Sequence, residues 1–267
     1  MASVFAHIDA VLLDITGVLY NSGKGGGPIP GSAEGIQMMK EAGIKVRFCS
    51  NETQCTREML AKKLNGYGYE IEAADITMPV LAAKQIVQKE GLRALPVLHP
   101  DAEADIEGVE TSNPNCVVLG DVGEPLTFHA LNEAFRVLIN SDSPVLLSLG
   151  NGRFYKEGDG LTMDVGAFRA ALEYSSGVKA RIVGKPSREY FESALAELGM
   201  HEKRERVAMV GDDIVGDVGG AQGAGMRGFQ VKTGKYRVSD ESHPQVKPDA
   251  FVENLLDFAK KVVAERK

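Results

Sequence analysis

The chain has 267 residues, 43% apolar and 25% charged, which fits a globular protein of one core plus an insert and excludes a disordered or fibrous chain. With 30 basic against 37 acidic residues the net charge is −7; this argues against a nucleic-acid platform, which needs a basic stripe, but not against a small anionic substrate. Three scattered cysteines (Cys49, Cys55, Cys116) make neither a disulfide frame nor a zinc site, and no leader and no run long enough to cross a bilayer is expected, so the cytoplasm is the expected location, with the nucleus also open.

In chain order, the first predicted strand covers residues 10–13 and delivers Asp14 to its end. A glycine-rich loop, "NSGKGGGPIPGS" at 21–32, follows and is expected to be mobile. A second strand, 45–49, runs into Ser50 and Asn51. Residues 92–180 read as a separate βαβ-like set, with strands at 96–99, 116–119 and 145–148, a helix over 126–141 and the segment 164–177 after them. A strand at 181–183 leads to Lys185. Phe191, Ala194, Leu195 and Leu198 then give a helical stripe, and the strand 206–210 leads to Asp212 and Asp213. A strand at 229–231 and a last helix carrying Val252, Leu255, Leu256 and Ala259 close the chain. Alternating strands and helices predict a parallel α/β sheet. The expected division is a core of 1–91 and 181–267 with an inserted domain of 92–180.

Open parallel sheets bind ligands beyond the carboxyl ends of their strands. Asp14, Ser50, Asn51, Lys185, Asp212 and Asp213 all stand at such ends. Each alone is an ordinary turn or cap residue. As an ordered set they put several carboxylates and one ammonium on one rim, and carboxylates that close need a cation among them. The donors are oxygens and no histidine or cysteine is placed with them, so Mg²⁺ is the expected ion. "GAGMRG" at 223–228 fits the dinucleotide fingerprint only in letters, because it follows a helix and opens a strand.

The four stretches "LLDITGVLY", "FCSN", "VGKPS" and "GDDIVGDV" occur in the order of the four motifs of the haloacid dehalogenase-like phosphatases, and the chain resembles that family over essentially its whole length. The resemblance implies a Rossmann-like parallel-sheet core with an inserted α/β cap of the larger (C2) type. It implies Asp14 as the nucleophile of an aspartyl-phosphate route. It implies Mg²⁺ on Asp14, Asp212 and the main-chain carbonyl of Thr16. Ser50 and the Asn51 backbone would hold phosphoryl oxygens, and Lys185 would offset charge. Asp213 and Asp217, spaced i, i+4 and so expected on one helix face, would steady the lysine or metal waters. A phosphorylated small molecule or phospho-amino acid is the implied substrate, and a homodimer through the cap the implied assembly.

One residue departs from the pattern. Most of the family carries an aspartate two residues after the nucleophile, as proton donor and base; here Thr16 stands there. A main-chain carbonyl can still bind metal, but a threonine hydroxyl cannot do acid–base work, which is worth about 10² to 10⁴-fold. The expectation is therefore a preference for leaving groups that need no enzymic proton: the nitrogen of phospholysine or phosphohistidine, or the phosphate of pyrophosphate. A phosphatase of small monoesters, a phosphoryl transferase and a non-catalytic phosphate-binding regulator are the alternatives. The insert would act as a lid, with His129, Arg153, Tyr155 and Asp159 as candidate substrate contacts.

Overall fold

Four consecutive apolar residues at 10–13 leave no polar face, as suits an interior parallel strand. All four are fully buried in the computed structural model, which describes residues 3–22, 26–157 and 160–266. In chain order the strands are β1 (Ala10–Asp14), β2 (Lys45–Cys49), β3 (Ile76–Thr77), β4 (Ala94–Val97), β5 (Cys116–Leu119), β6 (Val145–Ser148), β7 (Phe154–Glu157), β8 (Gly160–Met163), β9 (Ala180–Ile182), β10 (Val207–Gly211), β11 (Arg227–Val231) and β12 (Ala250–Val252). The α-helices are α1 (Ser32–Glu41), α2 (Arg57–Asn65), α3 (Pro79–Lys89), α4 (Phe128–Asn140), α5 (Val165–Ser176), α6 (Arg188–Leu198), α7 (Gly220–Gly223) and α8 (Leu255–Ala264).

The chain divides into two compact units. The first comprises Met1–Ser50, Ala61–Thr77 and Phe191–Lys267. Its sheet has the order β12-β11-β10-β1-β2-β3 with every neighbouring pair parallel. This is the parallel α/β class read from the sequence. Phe5, Phe229 and Phe258 pack their rings together on one side of it, with Phe5 and Phe229 stacked at 5.2 Å.

The second unit comprises Asn51–Leu60 and Met78–Tyr190, wider than the insert of 92–180 expected from the sequence. The reason is α3. Its Val80, Ala82, Ala83 and Val87 are buried against Cys116, Val118 and Leu147, so this helix belongs to the core of the second sheet. That sheet runs β4-β5-β6-β9, again parallel. Its other face is covered by Ala134, Leu138 and Leu172 of α4 and α5. The hairpin β7–β8 stands apart as a two-stranded antiparallel pair.

Two local expectations are revised. Val252, read as part of the last helix, ends β12 and pairs with Val231. The helix starts only after Asn254, whose side chain accepts from the Asp257 N–H at 3.0 Å and fixes the start. The strand expected at 181–183 begins one residue earlier, at Ala180, paired with Leu146.

Candidate active site

Register decides what meets at the carboxyl edge of the first sheet. Asp14 pairs with Cys49 on one side, and Leu13 pairs with Val210 on the other. Ser50 and Asp212 therefore come just past the ends of the strands flanking Asp14. Ser50 is buried, and its N–H is spent on the Thr77 carbonyl at 3.1 Å.

Carboxylate oxygens of Asp14, Asp212 and Asp217 lie within 4.8 Å of one another. The three residues are 7, 2 and 1% exposed, so solvent does little to separate their charges. At an effective dielectric of about 20, two unit charges that close repel by about 3 kcal/mol. Such a trio is stable only with positive charge in its midst.

The cluster is built by backbone, not by chance proximity. The Lys235 N–H donates to Asp212 Oδ2 at 2.7 Å. Buried Gln230 donates through Nε2 to the Asp212 carbonyl at 3.0 Å and to Asp240 Oδ2 at 2.8 Å. A Cβ on either Gly17 or Gly234 would come within 2.0 Å of Asp212 Oδ2, and both glycines have positive φ, +91° and +59°. The loop around Thr233, whose hydroxyl donates to the Gly17 carbonyl, is thereby pressed against the turn after Thr16.

The segment after β10 departs from the expected helix face. Asp213 is an extended cap residue, and 214–219 form a π-helical turn, a form that collects at functional sites. Asp213 Oδ1 accepts from the N–H groups of Val215 and Gly216 at 3.1 and 2.8 Å. Asp217 folds back so that its Oδ2 accepts from the Asp213 N–H at 3.1 Å, and its carboxylate lies over Gly211, where a Cβ would meet Oδ2 at 2.1 Å. So Asp217, expected to steady the lysine or metal waters, stands inside the acid cluster, while Asp213, half-buried, caps the turn.

Asp213 does pair with a lysine, but one that the sequence reading missed. Lys235 Nζ is 3.2 Å from Asp213 Oδ2. Burial pushes the Asp213 carboxyl up, but the Gly216 N–H, the Lys235 charge and the Val215 N–H together hold it below the usual range. For Lys235 desolvation pulls down, and the carboxylates of Asp213, Asp212 and Asp14 outweigh it and hold the ammonium above the usual lysine range. The signal available in the sequence was only the string "TGK" at the end of a strand, too common to single out.

Thr16 is half-buried and its hydroxyl lies 3.4 Å from the Tyr20 hydroxyl. Tyr20 in turn accepts from Lys63 Nζ at 3.0 Å, with the same ammonium 4.6 Å from its ring centre. Of the glycine-rich loop, residues 23–25 lie outside the described residues; its flanks are tied by Asn21 N–H to the Gly27 carbonyl and Ile29 N–H to the Leu19 carbonyl.

In the second unit, Asn51 and Lys185 meet through two hydrogen bonds between the Asn51 carboxamide and the Lys185 main chain. Among the insert's candidates, Tyr155 accepts from Gln54 Nε2 at 3.3 Å. His129 is exposed and pairs with Glu133 one helical turn on, and Arg153 lies over the Phe154 ring. Neither arrangement is specific to a ligand. Asp159 lies outside the described residues.

Comparison with known proteins agrees with this architecture. A family model described as haloacid dehalogenase-like hydrolase matches residues 11–112, and a second, HAD-hydrolase-like, matches 182–258. The phospholysine phosphohistidine inorganic pyrophosphate phosphatase of Homo sapiens is 50% identical over 253 residues, 94% of this chain and 93% of that protein. The protein of the same name from Danio rerio is 48% identical over 260 residues, 97% of this chain and 96% of its own length. Among solved structures, the 4-nitrophenylphosphatase of Thermotoga maritima superposes with a TM-score of 0.87 at 26% identity, covering 98% of this chain and all of that one. With the motif acids gathered at the sheet edge and kinship this extensive, the chain belongs to the haloacid dehalogenase-like hydrolase family, as a phosphohydrolase.

Proposed function

We propose that the chain is a Mg²⁺-dependent phosphatase that works through an aspartyl-phosphate on Asp14 and acts on the P–N bonds of phospholysine and phosphohistidine and on inorganic pyrophosphate. The observation that carries this reading is the convergence of Asp14, Asp212 and Asp217, three buried carboxylates in a backbone cradle. The names of the relatives with about half their residues in common support the substrate class.

The residues fit a hard divalent ion: the converging donors are all oxygens, and the glycine cradle keeps Asp212 from turning away. Asp14, Asp212 and the Thr16 carbonyl would hold it, with Asp217 beside them. Bound there, the ion supplies positive charge to the phosphoryl oxygens. Ser50, the Asn51 backbone and Lys185 take the phosphate-binding and charge-offsetting roles that family membership implies.

In the first step an Asp14 oxygen attacks phosphorus. The P–N bond breaks, its electron pair goes to nitrogen, and the nitrogen takes a proton from solvent. In the second, water attacks phosphorus, the P–O bond to Asp14 breaks, and the electron pair returns to the carboxylate. Both protons of that water leave on the phosphate, so Asp14 is regenerated unchanged. Thr16 contributes a carbonyl and no proton, which suits nitrogen leaving groups better than alkoxides.

The test is a comparison of rates on phospholysine, phosphohistidine, pyrophosphate and a sugar phosphate, with and without Mg²⁺. The expected result is Mg²⁺-dependent release of phosphate from the first three, weak activity on the sugar phosphate, and none with Asp14→Asn. A rate on the sugar phosphate equal to the others removes the substrate assignment; full activity in Asp14→Asn removes the mechanism. Cytoplasmic residence and a homodimer through the second unit belong to the same proposal. Cell fractionation checks the first, and sedimentation as a 28.7 kDa species alone would remove the second.

A further inference from the structure

Asn51 enters the reading above through its backbone; its side chain has a separate task. Asn51 Oδ1 accepts from the Lys185 N–H at 2.8 Å, and Asn51 Nδ2 donates to the Lys185 carbonyl at 3.0 Å. One carboxamide therefore satisfies both main-chain groups of a single residue, as a neighbouring strand would. It does so two residues beyond Val183, where the chain has left β9. The approach is close because position 184 is glycine: a Cβ there would lie 2.3 Å from the Leu149 carbonyl oxygen and 3.0 Å from Asn51 Oδ1.

Asn51 is itself held. Glu52 Oε1 accepts from the N–H groups of Thr53 and Gln54 at 2.9 and 2.8 Å, which turns the chain. Thr53 Oγ1 then accepts from the Asp121 N–H at 3.2 Å, and Gln54 Nε2 donates to Asp121 Oδ2 at 2.8 Å. Asp121 is buried just past the end of β5. Asn51 is thus the first member of a short segment latched to the second sheet, and it grips Lys185 from that anchorage.

We propose that the Asn51 carboxamide is a positioning residue for Lys185, fixing the main chain from which the ammonium reaches. This rests on the reading of Lys185 as the charge-offsetting lysine. The physical need is plain. Lysine is a point charge on a long flexible stem. A displacement of about 1 Å in a catalytic group can lower the rate by about 10²-fold. Lys185 is buried, so a shift of its main chain would carry the ammonium with it.

The experiment is a double-mutant cycle with para-nitrophenyl phosphate at saturating Mg²⁺: wild type, Asn51→Ala, Lys185→Ala and the double variant. Asn51→Ala is expected to lower kcat about 10- to 100-fold. In the Lys185→Ala background the same change should cost less than about threefold, because coupled residues are not additive. Hydrogen exchange at the Lys185 amide should accelerate at least about tenfold in Asn51→Ala, with the amides of β9 unchanged. Equal costs in the two backgrounds, or no change in kcat or in exchange, overturns the proposal. If Lys185→Ala alone keeps the full rate, the reading of Lys185 fails, an outcome the exchange measurement separates from failure of the clamp. Should Asn51→Ala not fold, Asn51→Ser, which is too short to pair with both main-chain groups, goes through the same cycle with the same criteria.

Discussion

The main-chain N–H of Lys235 donates to Asp212 Oδ2 at 2.7 Å, so a residue on the loop after β11 orients the acid that follows β10. The contact is permitted only because Gly17 and Gly234 lack a Cβ at the same oxygen. Three loops, after β1, β10 and β11, are thereby locked around one carboxylate, and the geometry of the cluster depends on all three.

Gly17→Ala follows directly from that packing. The new Cβ would lie 2.0 Å from Asp212 Oδ2, on a residue whose φ of +91° already disfavours a side chain. We expect a loss of about 1–3 kcal/mol in stability from backbone strain. A fall of at least about 10² in kcat should accompany it, because the carboxylate must move. Urea unfolding and the rate at saturating Mg²⁺ check both; a variant with the wild-type rate would show that the cradle is not needed.

Asp213 and Asp217, spaced i, i+4, should behave differently. Asp217→Asn removes one of three converging charges and should raise the Mg²⁺ concentration for half-maximal rate by about tenfold or more. Asp213→Asn keeps an oxygen for the Val215 and Gly216 N–H groups and should leave that concentration within about threefold; Asp213→Ala loses the cap and about 1 kcal/mol of stability. Rate against Mg²⁺ concentration for the three variants separates the roles.

The Asp213–Lys235 pair gives a pH signature. Asp213 is depressed in the folded protein, so its contribution is present above the unfolded carboxyl value and is lost as pH falls through the folded one. Lys235 is raised, so its contribution is present below the unfolded lysine value and is lost as pH rises through the folded one. Lys235→Ala should therefore cost up to about 1 kcal/mol at neutral pH. That cost should shrink towards nothing as the pH falls through the folded Asp213 value and the carboxyl is protonated in both states. Denaturant unfolding at neutral pH and below the folded Asp213 value is the check, and an equal cost at both would mean that Lys235 acts by packing.

Much of this was legible in the chain itself, and the gaps have physical causes. Strands buried on both faces leave unmistakable apolar runs, so β1, β2, β5 and β10 and the acids or polar residues behind them could be located from letters alone. Asp14, Ser50 and Asp212 follow from that, since a parallel register sends strand ends to one edge. The i, i+4 spacing did not show that Asp217 joins the acid cluster, because that rule presumes an α-helix and the turn is π-helical with Asp213 as its cap. Lys235 and Tyr20 escaped notice because they act from loops, where no periodicity marks a residue. The unit boundary at α3 was hidden for the opposite reason: a helix apolar enough to pack on either sheet does not say which.

Cys116 lies fully buried on β5, and burial pushes its thiol up to about 12. At pH 8 only about one part in 10⁴ is thiolate, so it should resist an aromatic disulfide reagent in the folded protein and react once urea is added. The sign of the linkage is fixed: the folded state keeps the proton to higher pH than the unfolded chain does, so stability is lost as pH rises past the unfolded thiol value. Cys116→Ala should flatten that slope. Rapid labelling of Cys116 in native conditions would contradict the burial.

Thr16→Asp tests the chemistry of the one motif position that departs from the family. In the present chain the Thr16 hydroxyl lies 3.4 Å from the Tyr20 hydroxyl, and a threonine side chain has no acidic proton to give an alkoxide. An aspartate there restores a proton donor, worth about 10² to 10⁴-fold where the leaving group needs one. Alkyl phosphate hydrolysis should therefore rise by at least about tenfold. Phosphohistidine hydrolysis should change by less than about threefold, because its nitrogen takes a proton without help. The added carboxylate also faces Tyr20 and Lys63, whose ammonium sits 3.0 Å from the Tyr20 hydroxyl and can offset the new charge. Rates on an alkyl ester and an N-phosphate, measured at the same Mg²⁺ concentration, decide it. An equal gain on both would mean that Thr16 limits the attack of water rather than the departure of the leaving group, and the proposed preference for P–N bonds would lose its basis in this residue.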